Sequence, residues 1–292
     1  MRTSFGFNEN LIFHNNRGQS LEISVTSPFF LQSADGIDSL ENEFYNVKNY
    51  NEDGTNIKGS SVRERNIVVG GQLRRQDKDS NRQKLIRFFN PKHRFTLEYT
   101  NGDITRFIDC RVEKSPVISK HIWPEFMISF LCPNPWWYTE EQKYEIAMWV
   151  AAFEFELEID AEGDGIEMGY REPNNVVNVF NDSDTASPLR IQFKAIGSVV
   201  NPYIEVVDTG RIVKIEATLK GGDVVTVNTK RGDEYATLER NGANINYFNF
   251  LSHDSDLQLS VDVGDNLIRY GAAEFVSNLE VSIYFTPQFV GV

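Results

Sequence analysis

The sequence has only two cysteines among its 292 residues, Cys110 and Cys132. Two cysteines cannot supply a disulfide framework or the four ligands of a structural zinc site. No run approaches the 18 apolar residues of a membrane-spanning helix. The first ten residues also lack the apolar segment of a secretory signal peptide. We therefore expect a soluble protein that is made in a reducing cytoplasm.

Positive charge is also in deficit. Lys and Arg number 29 against 42 Asp and Glu, so the formal net charge is −13. Phosphate binding needs clustered positive charge, and this balance excludes an electrostatic grip on nucleic acid by the whole chain. Residues 1–138 carry 18 basic and 16 acidic side chains, whereas residues 139–292 carry 11 and 26. The shift follows Pro133-Asn134-Pro135, and the chain length suits two domains. We predict domains at 1–140 and 141–292.

Hydrophobic residues make up 40% of the chain and include 21 Phe, enough for real cores. The first domain is predicted to be mainly strands. Residues 63–69 alternate before Gly70-Gly71, which we expect to break the strand. Residues 93–99 and 104–112 flank Asn101-Gly102, a strong hairpin signal.

One helix is predicted in this domain, over residues 80–89. Asp79 or Ser80 can cap its amides, three apolar residues share one face, and Asn90-Pro91 ends it. Residues 33–61 are rich in Asp, Asn, Ser and Gly. We predict a long loop there, or an excursion with a short strand, of the kind that often forms an interaction surface.

Basic residues cluster in one neighbourhood. A solvated helix face with strand edges is the favoured interpretation; contact with DNA or with an acidic protein surface is the alternative. Acidic residues dilute the cluster and no recognition-helix pattern accompanies it, so nucleic-acid binding is not expected. The cluster comprises Arg63, Arg65, Arg74, Arg75, Lys78, Arg82, Lys84 and Arg87.

The second domain has an all-β signal. Residues 153–160 alternate Phe, Leu and Ile with acids, which predicts a strand with one acidic face. Short strands then recur between turn signals at 221–223, 231–233, 241–242 and 264–265, a spacing typical of a sandwich or jelly roll. Thr139-Glu140-Glu141-Gln142 has the spelling of a capping box, which favours a short linker helix over 140–149.

Two short patterns in the second domain match known binding motifs only in part, and we assign no function to either. The first resembles an EF-hand loop, but Arg171 stands where a bidentate Glu belongs and a strand precedes it. The second resembles a dinucleotide fingerprint, but its third glycine is one residue late and no βαβ context follows. The residues concerned are Asp160, Glu162, Asp164 and Gly165 for calcium, and Gly163, Gly165 and Gly169 for the dinucleotide.

Other sequence signals for binding or catalysis are equally weak. Arg231-Gly232-Asp233 spells an adhesion tripeptide, but a glycine between strands is first of all a hairpin residue. The histidines have no metal-ligand spacing, and no GxSxG elbow is present. We therefore assign no catalytic, metal or cofactor residue and no cofactor. The histidines are His14, His93, His121 and His253.

Several segments, in order over nearly the full length, carry a family resemblance. The chain resembles the distal tail proteins of siphophages that infect Gram-positive bacteria, and their prophage relatives. Glu156 departs from the pattern, since proline is common there. The segments are 63–71, the helix ending at Asn90-Pro91, 130–136, 153–159, 169–172, 197–202, 221–229, 262–270 and 283–292.

The resemblance implies an N-terminal split-barrel-like β domain that forms a hexameric ring, and a C-terminal galectin-like or jelly-roll domain. It implies a non-enzymatic hub at the virion tail tip, joining the tail tube to the tail-associated lysin, baseplate or receptor-binding proteins. DNA would pass through the lumen without specific binding. A closed ring needs two complementary surfaces on each subunit. We hypothesise that Arg74 and Arg75 lie on one, and Asp35, Asp38, Glu41 and Glu43 on the other.

Two other functions stay open from sequence. A carbohydrate-binding module would use exposed aromatics, for which Trp149, Tyr170 and Tyr203 are candidates, although burial is their commoner fate. A glycan-cleaving enzyme would need a cleft with two carboxylates about 5–10 Å apart. Nothing in the acidic strand at 153–160 singles out such a pair.

Overall fold

The computed structural model describes residues 9–48, 50, 53–75, 77–146, 149–150, 170–171 and 175–292. It divides the chain into two compact units. The first comprises Met1–Thr139 with Gln288–Val292, and the second comprises Glu140–Pro287. The final five residues thus belong to the first unit, whereas the sequence-based division gave them to the second domain.

Strands dominate both units. The elements up to residue 139 are β1 (Glu9–Asn15), β2 (Ser20–Ser24), β3 (Phe29–Asp35), β4 (Asn42–Val47), β5 (Asn56–Val62), β6 (Arg65–Leu73), α1 (Lys78–Phe88), β7 (Phe95–Asn101), β8 (Ile104–Ile118), β9 (Glu125–Cys132) and β10 (Trp137–Tyr138).

The remaining strands are β11 (Gln142–Glu145), β12 (Trp149–Val150), β13 (Tyr170–Arg171), β14 (Val176–Asn181), β15 (Ser187–Ala195), β16 (Val199–Val200), β17 (Tyr203–Val206), β18 (Arg211–Lys214), β19 (Thr218–Leu219), β20 (Val224–Asn228), β21 (Tyr235–Arg240), β22 (Ala243–Asn246), β23 (Ser260–Val261), β24 (Gly264–Gly271), β25 (Leu279–Phe285) and β26 (Gln288–Phe289). Two 3₁₀ turns lie at Phe248–Phe250 and Val276–Asn278.

The first unit is a seven-stranded barrel. Its strands pair in the order β8-β7-β1-β2-β3-β6-β9, and β9 pairs again with β8. The long strand β8 makes this closure possible, because its first half pairs with β7 and its second half with β9. The join between β2 and β3 is a single parallel pair, Ser24 with Phe30. The predicted all-β class with one α-helix is confirmed for the described residues.

Aromatic rings fill the barrel where α1 ends. The ring centroid of Phe13, on β1, lies 5.1 Å from that of Phe89, just after α1, and 4.6 Å from that of Phe130, on β9. Leu85 and Phe88 of α1 are also buried in this core. Offset and edge-to-face aromatic contacts add to the hydrophobic gain of burying such large side chains. The apolar face that predicted the helix is therefore the face that packs onto the barrel.

Three local predictions were wrong. α1 begins at Lys78 rather than Ser80, and neither Asp79 nor Ser80 caps it: Asp77 is the N-cap, with a φ of 55° and no side-chain capping bond. The predicted break at Gly70-Gly71 is absent, because β6 continues to Leu73. The linker helix predicted at 140–149 is replaced by β11, which pairs with β25, and by β12.

Gly71 has a packing reason. A Cβ added there would lie 2.5 Å from both the Phe126 ring and the Phe30 carbonyl oxygen. Opposite it, the register of β3 shifts between Leu31 and Ser33. Glycine within a strand often marks such a bulge or close approach rather than a chain break.

The second unit is a two-sheet sandwich. One sheet follows the order β11-β25-β15-β20-β21-β22, and the other follows β14-β24-β17-β18. Both sheets contribute alternate apolar residues to one buried cluster, for example Ile191 and Phe193 of β15 and Ile204 of β17. Two sheets that share one core form a β-sandwich. The predicted acidic strand at 153–160 lies outside the described residues.

Candidate assembly surfaces

Strands β4 and β5 form a hairpin that stands apart from the barrel sheet. They pair with each other from Asn42↔Val62 to Val47↔Asn56, and among the described residues they pair with no other strand. Phe44 and Tyr45 are 51% and 56% exposed, and Ile57 of β5 is 62% exposed. A two-stranded hairpin is marginally stable alone, and clustered exposed apolar side chains mark interaction sites. We call this element the β4–β5 arm.

Polar contacts organise the arm without covering its apolar side chains. The Tyr45 and Ser61 hydroxyls lie 3.1 Å apart. At the base, the Arg63 guanidinium lies 3.3 Å from Glu43, and both side chains are about half exposed. Exposed ion pairs of this kind contribute little to stability. The arm is therefore held mainly by its backbone ladder and is open to a partner.

A second apolar surface lies where β8 turns into β9. Val117 of β8 pairs with Met127 of β9, and both side chains are exposed. Ile122 and Trp123, in the connecting turn, are also exposed. The turn is fixed by its backbone: the Ser119 amide donates to the Glu125 carbonyl oxygen at 2.8 Å. We call these four apolar residues the β8–β9 tip.

The sequence predicted one of these two surfaces approximately and did not predict the other. It predicted an interaction surface within residues 33–61, where the arm lies, but missed the second strand and the apolar residues. The aromatic pair Phe44-Tyr45 in an otherwise polar stretch was the available signal. It missed the β8–β9 tip entirely. Ile122-Trp123 could have been noticed, since large apolar residues are uncommon in an exposed turn.

The predicted basic neighbourhood is divided by the fold. Arg65 is 3% exposed and lies in the barrel wall rather than on a solvated face. Arg63 is paired with Glu43. Arg74 donates to the Val25 carbonyl oxygen and lies 5.9 Å from the Phe30 ring centroid. Arg75 and the helix residues Lys84 and Arg87 are exposed, so the basic surface that remains is small.

Arg65 joins three separate chain segments through its guanidinium. Nε donates to the Pro135 carbonyl oxygen at 2.8 Å, and Nη1 donates to Gly36 at 2.9 Å and also to Ile37. Nη2 donates to the Val290 carbonyl oxygen. Burial lowers the pKa of Arg65, yet a guanidinium stays charged in proteins. We call Arg65 with these four acceptors the Arg65 cluster.

The final five residues complete the first unit around this cluster. Phe289 of β26 pairs with Trp137 of β10. The Arg106 guanidinium lies 3.7 Å from the Phe289 ring centroid, and Arg106 also donates to the Gly291 carbonyl oxygen. Trp137 is fully buried, and its indole donates to the Ile37 carbonyl oxygen at 3.0 Å. The first unit therefore includes a C-terminal segment that follows the whole second unit in the sequence.

The adhesion-like tripeptide is a hairpin turn. Arg231-Gly232-Asp233 connects β20 to β21, which pair antiparallel, and Gly232 has a φ of 82°. The Asn228 side chain donates to the Asp233 carbonyl oxygen at 2.7 Å. The structural interpretation of this glycine is confirmed.

The histidines serve local roles. His14 lies 2.9 Å from Glu98, and His93 is buried beside Phe95. Across the described ranges, no group of three or more His, Cys, Asp and Glu residues could hold a metal ion. The EF-hand-like residues and the glycines at 163, 165 and 169 lie outside those ranges. No helix in the described part of the chain is long and apolar enough to span a membrane.

The carbohydrate candidates have different outcomes. The Tyr203 ring lies over Gly271, where an added Cβ would be only 2.6 Å from it, so this aromatic is used in strand packing. The side chains of Trp149 and Tyr170 are not described. A shallow concavity of about 190 Å³ does lie on the outer strands β21 and β22, with Tyr235, Phe248 and two asparagines in its lining.

The first unit has a larger concavity of about 460 Å³ beside β1, β7 and β8. Its acidic group, Asp109, accepts hydrogen bonds from Thr96 at 2.9 Å and from Tyr138 at 3.0 Å. Burial, followed by the nearby Asp109 charge, raises the pKa of Tyr138 well above its usual range. These groups satisfy one another, and Asp109 is the one carboxylate among the residues that line the concavity, so it does not provide the pair of carboxylates that a glycan-cleaving site would need.

Together these features define a class: a two-unit β protein with a closed barrel, a sandwich and two exposed apolar surfaces on the barrel unit. Comparison with known families assigns residues 16–132 to the Phage tail protein RIFT-related domain. The matched residues lie in the barrel unit and make up less than half of the chain, and they confirm the predicted resemblance at the level of a siphophage tail domain. A search of curated proteins found no match.

Solved structures share the fold over nearly the whole chain. The structure titled SPP1 Dit, "a Paradigm of Hub Adsorption Apparatus in Gram-positive Infecting Phages", has a TM-score of 0.70 at 13% identity, covering 96% of this chain and 99% of that one. A chain of the phage P2 baseplate, in its activated conformation with Ca, has a TM-score of 0.55 at 12% identity, with 97% and 99% covered.

Proposed function

We propose that this chain is the hub protein of a siphophage tail tip and that it works as a hexameric ring. The ring joins the tail tube to the tail-associated lysin or baseplate and to the host-adsorption apparatus, and DNA passes through its lumen. The role is structural rather than enzymatic. The chain is assembled in the bacterial host and resides in the virion tail.

One observation carries this proposal. The barrel unit matches a phage tail domain family, and both units together follow the fold of SPP1 Dit over 96% of the chain. That protein's title describes a hub adsorption apparatus, and two further matches are chains of a phage baseplate. A likeness that includes both units favours a shared architecture over a single borrowed domain.

The two apolar surfaces of the barrel unit fit a head-to-tail ring. Heterologous contacts require two different patches on each subunit, and these patches must be complementary. We assign the β4–β5 arm to one side of the subunit contact and the β8–β9 tip to the other. The charged contact between Arg74 or Arg75 and the acids at 35–43 stays a prediction. Arg75 tests it better, since Arg74 is bonded within its own subunit.

Light scattering on the purified chain tests the ring and the arm together. The wild type should elute as a species of roughly 200 kDa, six times the chain mass. Replacing the exposed arm aromatics, Phe44→Ser with Tyr45→Ser, should shift it to smaller species without changing the melting temperature. Both residues lie outside the barrel core, so the fold should survive.

Phe180→Ser is the matched control. Phe180 is 52% exposed, on strand β14 of the second unit, and its replacement should leave the assembly intact. Equal assembly of the arm variant and the wild type would remove the arm from the contact. A wild type that stays monomeric at every concentration would contradict the ring itself.

A second candidate function is sugar binding by the concavity on β21 and β22. Thr237 and Asn246 lie directly opposite each other there, Phe248 is 41% exposed, and Asn244 is exposed beside them. An exposed ring with neighbouring amides can stack on and hydrogen-bond a sugar. A glycan array should then give signals that Phe248→Ala removes. An array without signal would eliminate this function and leave the hub proposal untouched.

A further inference from the structure

The two cysteines lie opposite each other at the seam that closes the barrel. Strands β8 and β9 pair antiparallel, with Arg111 opposite Leu131 and Val112 opposite Phe130. Continuing this register by one residue places Cys110 opposite Cys132. Both are buried in the barrel core, at 2% and 0% exposure, so both side chains lie on the inner face.

Direct contact between the thiols supports this juxtaposition. The Cys132 side chain is the first of the neighbours that raise the pKa of Cys110, as expected for two adjacent buried thiols, and both cysteines are free. Directly opposed residues of an antiparallel pair have Cα atoms about 4.5–5.5 Å apart, within the range of about 4.4–6.8 Å that a disulfide spans. Forming the bond therefore requires side-chain adjustment and leaves the strand register unchanged.

We propose that Cys110 and Cys132 are a redox site: they form a reversible intrachain disulfide that fastens β8 to β9 where the barrel closes. The seam matters because β8 must leave β7 and join β9 within a single strand. The register of the pair shifts twice between Val112 and Val117, so the ladder is irregular just beyond the cysteines. A covalent link between the cysteines would hold β8 and β9 together at the regular end of their pairing, next to this irregular stretch.

The oxidation balances with a peroxide as oxidant. The thiolate of one cysteine attacks one oxygen of hydrogen peroxide and breaks the O–O bond. The cysteine becomes a sulfenic acid, and the displaced hydroxide leaves as water after protonation. The second thiol attacks that sulfur, forms the S–S bond and expels a second water. Two thiols and one hydrogen peroxide thus give one disulfide and two waters. A dithiol reductant reverses the step by thiol–disulfide exchange.

The environment of the pair predicts slow oxidation. The contact with Cys132, followed by burial, raises the pKa of Cys110 well above its usual range. Thiolate is the reactive form, so oxidation should speed up as pH rises and as the barrel opens locally. A buried pair that oxidises slowly would remain reduced during synthesis and would close later, in an oxidising medium. The geometry belongs to the barrel unit alone and does not depend on the proposed tail role.

Mass spectrometry of the full chain tests the site. The reduced protein is incubated with hydrogen peroxide at pH 7 and at pH 9, with and without a low concentration of urea. We expect a chain lighter by two hydrogen atoms, loss of both thiols in a denaturing titration, and a peptide crosslink between Cys110 and Cys132. Oxidation should be faster at pH 9 and in urea. The melting temperature of the barrel unit should rise by about 5 °C or more, and dithiothreitol should reverse the change.

The contrary results are equally clear. Two thiols that persist after prolonged oxidation in urea would overturn the proposal. So would separate oxidation of each cysteine to a sulfinic acid, or a disulfide that links two chains. Cys110→Ser and Cys132→Ser are matched variants that should each lose the melting-temperature rise. The wild-type crosslink decides the question even where a variant does not fold.

Discussion

Arg65 is the residue whose loss should damage the barrel unit most. Its guanidinium donates to backbone carbonyls of Gly36, Ile37, Pro135 and Val290, and it is 3% exposed. Arg65→Ala removes these donors and leaves buried carbonyl groups unsatisfied. Hydrogen bonds to a charged group contribute about 1.5–3 kcal/mol each, but such contributions do not add within one cluster. Removing the buried charge also relieves its desolvation cost.

We therefore expect Arg65→Ala to lower the free energy of unfolding of the barrel unit by about 3–5 kcal/mol, near the upper end for single substitutions. For a unit of this size the melting temperature should fall by about 10–15 °C. Arg65→Lys keeps a charge but loses the planar fork that reaches three segments at once. It should recover only part of this loss.

Tryptophan fluorescence during urea unfolding is a suitable assay, since Trp123, Trp136 and Trp137 all lie in the barrel unit and only Trp149 lies in the other. Arg63→Ala is the matched control, two residues away. Its pair with Glu43 is exposed to solvent, so this substitution should change the free energy of unfolding little. If Arg65→Ala costs no more than Arg63→Ala, the Arg65 cluster does not hold the unit together.

Three further predictions concern contacts within the barrel unit and within the sandwich. Deleting residues 288–292 should destabilise the barrel unit by about 2–4 kcal/mol and leave the sandwich transition in place, because β26 and the Val290 acceptor are lost; an unchanged barrel transition would contradict this. Gly71→Ala should lower the free energy of unfolding by about 1–3 kcal/mol through overpacking. Urea unfolding checks this against Gly59→Ala, whose added Cβ would meet only the Tyr45 ring, at an ordinary contact distance of 3.7 Å. The hydrogen bond from Arg240 lowers the pKa of Asp223. The stability that this ion pair gives to the sandwich is therefore complete above the ordinary pKa range of Asp, and it is lost as pH falls through the lowered pKa of Asp223. Asp223→Asn should flatten that acid dependence of sandwich unfolding, and an unaltered pH profile would argue against the ion pair.

Local patterns predicted much of the fold because they depend on near neighbours. The hairpin at Asn101-Gly102 and the helix with its apolar face are set by turn chemistry and side-chain spacing, and both are found. The turn signals of the second domain also lie between paired strands, as at Gly232 and at Asn241-Gly242. These elements follow from residues within about ten positions of each other.

Features that depend on distant chain were not predicted. Gly70-Gly71 resembles a break in isolation, and only the approach of Phe30 and Phe126 explains why glycine continues the strand. Arg65 resembles a surface base until the carbonyl of Val290, far along the chain, comes to it. The capping-box spelling at residue 139 was overridden by pairing of β11 with β25. In each case tertiary contacts outweighed local preference.

The candidate surfaces divide in the same way. Composition located the β4–β5 arm approximately, because a long polar excursion in a compact domain is unusual. The arm's apolar residues become significant only once the structure shows that nothing in the described chain covers them. Val117 and Met127 of the β8–β9 tip gave no signal, since alternating apolar residues in a strand ordinarily indicate a buried face.

Electron microscopy of the purified full-length chain tests the central claim most directly. The hub proposal predicts closed rings with six-fold symmetry and an open lumen, at a particle mass of roughly 200 kDa. Rings of another order would revise the symmetry. Single, unassembled chains at all concentrations, or open filaments without a lumen, would contradict the proposal that this protein is a ring-forming tail hub.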